Sequence, residues 1–421
     1  MKKWTILVYM AGDNNLEEFG YGDLAEMKKA GSTNDVNIVV QFDCAGSATE
    51  TRRYYVTKGG KLDKDVVEKM GETNTGDPQV LLDFIKWTGK NYPAKHYLLV
   101  LWNHGAGWDD TNIYRTARND LRLNVKRKDS ITISARGKAR ATIPSDQLRA
   151  VTGRRFRRAL FRTTIEKGLQ DRAIAFDDQA KDFLDNIETK KLLKEAKTFL
   201  KQKIDILGMD ACLMSMGEVV WQVRDSVAVT VGSEEIEPGQ GWPYDTIIAD
   251  LVKKPSMSPQ ELASVIVKRY VASYGANSNV TQAALDLAQS ESLVTAVDRL
   301  ARVLSANLAD PQVKIALIES RNQVQSYATP EYIDLKDFCQ LLIQNTSHPD
   351  IKSVSQDVIA AIDKAVIKNG AKGTRVANSH GVSIYFPTRT ISPLYAKLDF
   401  TRKTRWDNLL KDYINAVSRR P

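Results

Sequence analysis

Five short apolar runs, each giving way at once to polar residues, constrain this chain more than any other feature. They are Thr5–Met10, Val36–Phe42, Tyr97–Trp102, Ile204–Met209 and Val227–Val231. Each is short for a buried helix and nearly continuous in apolar character. That pattern suits strands covered on both faces of a parallel sheet. Segments with helical spacing lie between them, at Leu16–Lys29, Pro78–Thr88 and Leu213–Val223. Strands alternating with helices imply a doubly wound α/β sheet.

The pattern changes after about Pro255. Pro259–Tyr274, Ser290–Asn307 and Ile351–Lys368 read as amphipathic helices, and Gly381–Pro387 as one more strand, stopped by proline. The expected organisation is a catalytic-sized α/β domain over 1–254 and a mainly helical subdomain over 255–421. The strand near 381–387 is expected to return to the main sheet. With 421 residues, 43% of them hydrophobic, the chain can build a large core. No apolar run approaches the ~18 residues of a membrane span. The first apolar run passes straight into Ala11-Gly12-Asp13-Asn14-Asn15, a strand-to-loop pattern rather than an export signal. The expectation is a cytoplasmic protein, with secretion left open.

The net charge of +9 comes from one segment. Arg115–Arg172 holds 17 Lys and Arg against five Asp and Glu, a balance of +12, so the remainder of the chain carries −3. The segment has no sustained periodicity and reads as a long insertion. Nucleic-acid binding is one reading of it. However, only Phe156 lies within its densest charge, with Tyr114 and Phe161 at the margins, which is thin for base stacking.

In open α/β sheets, ligands bind beyond the carboxyl ends of the strands. The residues there are Asp13-Asn14-Asn15, Asp43-Cys44, Asn103-His104-Gly105, Asp210-Ala211-Cys212 and Ser233-Glu234-Glu235. A histidine and a cysteine therefore follow two strands expected to lie close together, as a thiol nucleophile and its acid/base partner require. Cys212 is expected where a strand becomes a helix, whose N-terminal field favours the thiolate. Its backbone N–H and that of Gly105 are candidates to hold an oxyanion. Glycine at 105 lets the chain turn sharply beside His104. Each residue alone is also compatible with a structural role, and the residues by themselves leave both readings open. Three cysteines, far apart and odd in number, indicate neither a disulfide framework nor a zinc site. Cys44 is a rival nucleophile, while Cys339 lies in an apolar helical stretch. His380 precedes its strand, at the wrong end for the site, and His96 and His348 read as surface residues.

Four segments carry a resemblance. They are Trp4–Leu16, Leu101–Trp108, Asp205–Met214 and Ser233–Tyr244, and together they resemble the clostripain-like cysteine peptidases, relatives of caspases, legumain and gingipains. The resemblance implies a caspase-like αβα sandwich with a mainly parallel sheet. It implies His104 and Cys212 as a catalytic dyad and no cofactor for the chemistry. It implies Asp210 in the pocket for the residue before the scissile bond, where a carboxylate selects Arg or Lys. The alternative for Asp210 is a helix cap. Glu234 and Glu235 are expected to add acidity for substrate binding or to hold Ca²⁺, which some members use. Members are often cut between histidine and cysteine into light and heavy chains that stay associated. The basic insertion is thus a natural target for self-cleavage, with Arg154–Arg158 its densest cluster. A fold relative kept only for binding or regulation is the remaining alternative.

Overall fold

The computed structural model describes residues 1–13, 16–44, 50–103, 105, 107–108, 157–158, 174–177 and 182–418. His104 and all of the basic insertion except the backbone of Arg157–Arg158 lie outside these residues. The strands are β1 (Lys2–Gly12), β2 (Val36–Cys44), β3 (Arg52–Tyr55), β4 (Val66–Lys69), β5 (Ala94–Trp102), β6 (Arg157–Arg158), β7 (Ile174–Asp177), β8 (Asp182–Leu184), β9 (Ile204–Asp210), β10 (Val227–Gly232), β11 (Glu237–Pro238), β12 (Val280–Asp286), β13 (Tyr332–Asp334), β14 (Val366–Lys372) and β15 (Ser383–Tyr385). The helices are α1 (Glu17–Ala30), α2 (Pro78–Asn91), α3 (Asn186–Leu200), α4 (Gly217–Val223), α5 (Tyr244–Lys253), α6 (Pro259–Ser273), α7 (Ser290–Asn307), α8 (Pro311–Gln323), α9 (Leu335–Asn345), α10 (Pro349–Ala365), α11 (Asp399–Lys403) and α12 (Trp406–Ser418).

Nine strands form one sheet in the order β14-β12-β10-β9-β5-β1-β2-β3-β4. Its five central strands, β10 to β2, run parallel, and both edges are antiparallel pairs. The apolar runs of the sequence are those central strands. β1 shows why they read as unbroken. Leu7, Tyr9 and Ala11 join the core on one face, and Trp4, Ile6, Val8 and Met10 join the core on the other. Alternate side chains leave a strand on opposite faces, so a strand covered twice must be apolar at every position. Helices α1, α5 and α6 cover the second face, and α2, α3, α4, α7, α9 and α10 supply the first. The helices begin where local chemistry satisfies their free N–H groups. Asp77 caps α2, and Asp185 with Glu188 and Ser258 with Glu261 form capping boxes on α3 and α6.

The segment after 255 does more than pack helices. It contributes β12 and β14 to the main sheet. The expected helix over 351–368 stops at Ala365, and the chain continues as β14. β12 carries Thr281 and Gln282 amid its apolar residues, which hid it from a pattern search. The strand expected near 381–387 exists as β15 but does not return to the main sheet. It pairs antiparallel with β13, and Ser383 bridges to Met216 just before α4. Its polar ends instead bond Ser215, whose carbonyl accepts from Ser383 N at 2.9 Å and whose hydroxyl donates to Gly381 O at 2.7 Å.

Candidate active site

β5 and β9 are adjacent parallel strands, in register from Leu98 opposite Ile206 to Trp102 opposite Asp210. Their carboxyl ends therefore emerge side by side. Asn103 N donates to Asp210 O at 3.4 Å, continuing the pairing one residue past β5. The next residue is His104, outside the described residues. Gly105, beyond it, lies against the backbone of Cys212. A Cβ there would collide with the Cys212 carbonyl oxygen and sit 2.8 Å from Ala211 Cβ and 2.9 Å from Cys212 N. Only glycine permits this approach. Gly107, at φ +70°, repeats the device against the Leu213 carbonyl and Met216. The loop that bears the histidine is thus clamped to the loop that bears the cysteine.

Cys212 is 1% exposed. It does not stand at a helix start, because the helix expected from Leu213 begins only at Gly217. Leu213 is in the left-handed region, at φ 62°, where a branched side chain is disfavoured by about 1–2 kcal/mol. Its N–H donates to Glu235 O at 3.3 Å, and Ser215 N donates to Ser233 O at 2.9 Å. Those bonds hold the kinked loop against the segment that follows β10. The field expected from a helix terminus is replaced by a local donor. Glu237 N lies 3.3 Å from Cys212 Sγ and donates to it, while Glu237 O lies 3.9 Å away as an acceptor for the thiol proton. One peptide segment can therefore satisfy both the thiolate and the thiol.

Two carboxylates border the cysteine. Asp210 is fully buried, and its Oδ2 accepts the Tyr244 hydroxyl at 2.9 Å and Trp242 N at 3.5 Å. It caps no helix, since α4 starts seven residues later. Glu237 is also fully buried and accepts from Gln282 Nε2 at 3.3 Å. Tyr270 records how close these groups lie. Its phenol is pushed well above the usual range by burial and then by the charges of Glu237, Tyr274, Asp210 and Cys212. Sequence reasoning missed Glu237. It lies in the Ser233–Tyr244 segment, beside the more conspicuous Glu234-Glu235 pair.

That pair is anchored by hydrogen bonds to residues far along the chain. Glu234 is buried, and its carboxyl accepts from the Tyr327 hydroxyl at 2.8 Å and from Gly381 N at 3.0 Å. Burial and the neighbouring Asp334 hold it well above the usual carboxylate range. Glu235 Oε1 accepts from Ile236 N at 2.8 Å and Ala328 N at 3.1 Å. Both were expected at a substrate pocket or a Ca²⁺ site. Their hydrogen bonds tie the loop behind Cys212 to the C-terminal half. Among the described residues, no three His, Cys, Asp or Glu side chains gather in a way that suits a metal ion.

The rival groups are built into structure. Cys44 is buried, bonded to the Tyr21 hydroxyl at 3.3 Å, and pushed up to about 11 chiefly by burial. Cys339 is buried in the core, which also raises its pKa. His380 pairs through Nδ1 with Asp334 at 2.9 Å, and His96 with Asp205 at 2.8 Å, so neither of the two is a free surface group. The β11 strand has a further partner. Glu237 pairs with Arg158, and Pro238 with Arg157, in an antiparallel two-stranded sheet. Two residues of the basic insertion, Arg157 and Arg158, thus pair with the strand that contacts Cys212.

The model of the clostripain family matches residues 8–133 and 163–413. The chain belongs to the clostripain family. It is accordingly a cysteine peptidase, and the α/β sheet with its two helical layers is the caspase-like fold of that family. Clostripain from Hathewaya histolytica is 24% identical over 453 residues, covering 92% of this chain and 75% of that protein. A secreted C11 cysteine protease from Bacteroides thetaiotaomicron, solved with an irreversible peptide inhibitor, superposes with a TM-score of 0.64 at 18% identity, over 97% of this chain and 100% of that one. An inactive zymogen C11 protease from Parabacteroides distasonis gives 0.63 at 19% identity, over 96% and 99%. The expectation of a cytoplasmic location is corrected by the first of these structures. A family member matched along nearly its whole length is secreted, so an apolar first strand does not assign a clostripain-family chain to the cytoplasm.

Proposed function

We propose that this clostripain-family peptidase cleaves peptide bonds after Arg or Lys, with Cys212 as nucleophile and His104 as acid/base, and cuts itself within its basic insertion. The observation that carries the reading is the pair of buried carboxylates, Asp210 and Glu237, beside a buried thiol whose sulfur accepts the Glu237 N–H. A guanidinium or ammonium group entering there exchanges water for charge-assisted bonds in a low-dielectric site. The Cys212 thiolate attacks the carbonyl carbon, and the oxyanion that forms is held by backbone N–H groups at Cys212 and Gly105. His104 gives a proton to the departing amine. Water, deprotonated by His104, then attacks the thioester and releases the new carboxylate and the thiol.

Self-cleavage is favoured by the pairing of Arg157–Arg158 with Glu237–Pro238, which lays basic residues along the strand next to Cys212. The pieces would stay together. β5 precedes the insertion and β9 follows it, yet they are hydrogen-bonded neighbours in one sheet. Calcium enters this reading only as a factor to test.

The test compares wild type with Cys212→Ala on denaturing gels and on a fluorogenic substrate with Arg before the leaving group. Wild type should yield two chains and hydrolyse the substrate, while the variant stays intact and loses about 10⁶-fold in rate. A wild type that remains one chain and hydrolyses nothing, with or without calcium, sinks the reading. Asp210→Asn should cost Arg preference while leaving the fold intact. An unchanged preference would remove Asp210 from the pocket.

A further inference from the structure

Beneath the two active-site loops lies a carboxyl group that the chemistry does not use. Glu218, in the first turn of α4, is 1% exposed. Its Oε1 accepts from Tyr385 N at 3.0 Å and from the Tyr395 hydroxyl at 2.8 Å. Its Oε2 is buried with no hydrogen-bond partner among the described residues. Two donors on one oxygen and none on the other make a poor site for an anion and a tolerable one for a neutral acid.

The partners of Glu218 lead to both loops. The rings of Tyr385 and Tyr395 pack on Trp108, with centroids 4.7 and 4.8 Å away. Trp108 closes the loop that begins at Asn103 and contains His104. On the other side, Glu218 is six residues past Cys212, on the segment that Ser383 of β15 clamps through Ser215. Glu218 is thus the junction of the histidine loop, the cysteine loop and the C-terminal strand.

We propose that Glu218 is a positioning residue, which in its neutral form holds the His104 and Cys212 loops in register through Tyr385, Tyr395 and Trp108, and whose ionisation loosens them. This rests on the reading of His104 and Cys212 as the reacting pair. Tyr385 and Tyr395 are the titratable groups that touch it. On the helices packed against α4, Lys190 of α3 pairs with Asp399 of α11, and Lys403 of α11 with Glu291 of α7. Burial raises the Glu218 pKa to about 7, against the lowering effect of the two donors and of its own backbone N–H. The sign follows directly. Below that value the acid is neutral and the junction is intact. Folding stability falls between the ordinary value of 4.5 and about 7, where the unfolded chain is ionised and the folded carboxyl still neutral, and as pH rises through about 7 the unpartnered Oε2 becomes a buried anion and alignment falls.

The experiment follows the full chain, wild type, Glu218→Gln and Tyr395→Phe, across pH about 5 to 9. It reads kcat and KM on the arginyl substrate and the alkylation rate of Cys212 by iodoacetamide, resolved by mass spectrometry. Glutamine mimics the neutral acid, so the ratio of variant to wild-type rates should be flat at low pH. It should climb through a midpoint near 7, in kcat and alkylation but not in KM. Tyr395→Phe removes a donor that favours the ionised form, so its own midpoint should move to higher pH. It also keeps the test open if the glutamine variant folds poorly. A variant-to-wild-type ratio independent of pH, or a change confined to thermal stability, overturns the proposal. Absent hydrolysis in every form overturns the peptidase specificity instead, and the Cys212 alkylation profile then decides the role of Glu218 alone.

Discussion

Cys44 and Cys212 stand at equivalent places in the sheet and differ sharply in their surroundings. Both follow parallel strands, β2 and β9, at the carboxyl end, and both are buried. Cys44 is the last residue of a regular strand, hydrogen-bonded to Tyr21 and raised to about 11. Cys212 lies two residues past its strand, in a loop kinked at Leu213, with a backbone N–H on its sulfur and a glycine loop pressed against its carbonyl. The comparison teaches that a sheet end only offers a location. A neighbouring strand must also deliver a polar loop, and the backbone must leave regular geometry to aim donors at the sulfur. β5 does this for β9, whereas β2 has the antiparallel β3 on its outer side.

The comparison can be broken most decisively by alkylation. At pH about 8, a thiol with a pKa near 11 is thiolate in only about one molecule in 10³, so iodoacetamide should label Cys212 long before Cys44. Labelling of Cys44 should rise tenfold per pH unit towards 11. Equal labelling at pH 8, read by peptide mass spectrometry, would erase the distinction. Next in size is Gly105→Ala, which forces the histidine loop off the Cys212 carbonyl. Displacements of about 1 Å at a reacting pair cost on the order of 10²-fold, and kcat should carry the loss. Glu237→Gln keeps the backbone donor to sulfur but removes the carboxyl group. It should lower kcat/KM for arginyl substrates by roughly 30-fold, with little change for a substrate bearing a neutral residue there. A uniform loss would mean that Glu237 acts on the thiol rather than on the substrate. The smallest effect belongs to Cys44→Ala. It should leave kcat/KM within about twofold and cost about 1 kcal/mol of stability from the lost bond to Tyr21, measured by denaturant unfolding.

Legibility in the sequence tracked the range of the interactions involved. The five central strands were plain, because burial on both faces forces an apolar residue at nearly every position. Helices α1, α2, α6, α7 and α10 were legible from spacing, whereas α3, α5, α8, α11 and α12 were not. β12 and β14 were not, since the partner strand that stabilises each lies far off along the chain. The helix expected from Leu213 failed because bonds to Ser233 O and Glu235 O hold that stretch as a loop kinked at Leu213. At the site, Cys212 and Asp210 were found as strand-end residues. Glu234 and Glu235 drew attention as charges, but whether a carboxylate faces a pocket or Tyr327 and Gly381 depends on packing across 93 and 147 residues of chain.

The sequence by itself determined the parallel core of the sheet and, with its four motifs, the family. Those follow from local periodicity and from residues adjacent along the chain. Only the tertiary structure decided which carboxylates border the thiol, that a peptide N–H rather than a helix terminus attends its sulfur, and that Glu218 joins the two active-site loops. Each of these rests on contacts between segments that the chain brings together only on folding, and no local pattern encodes them.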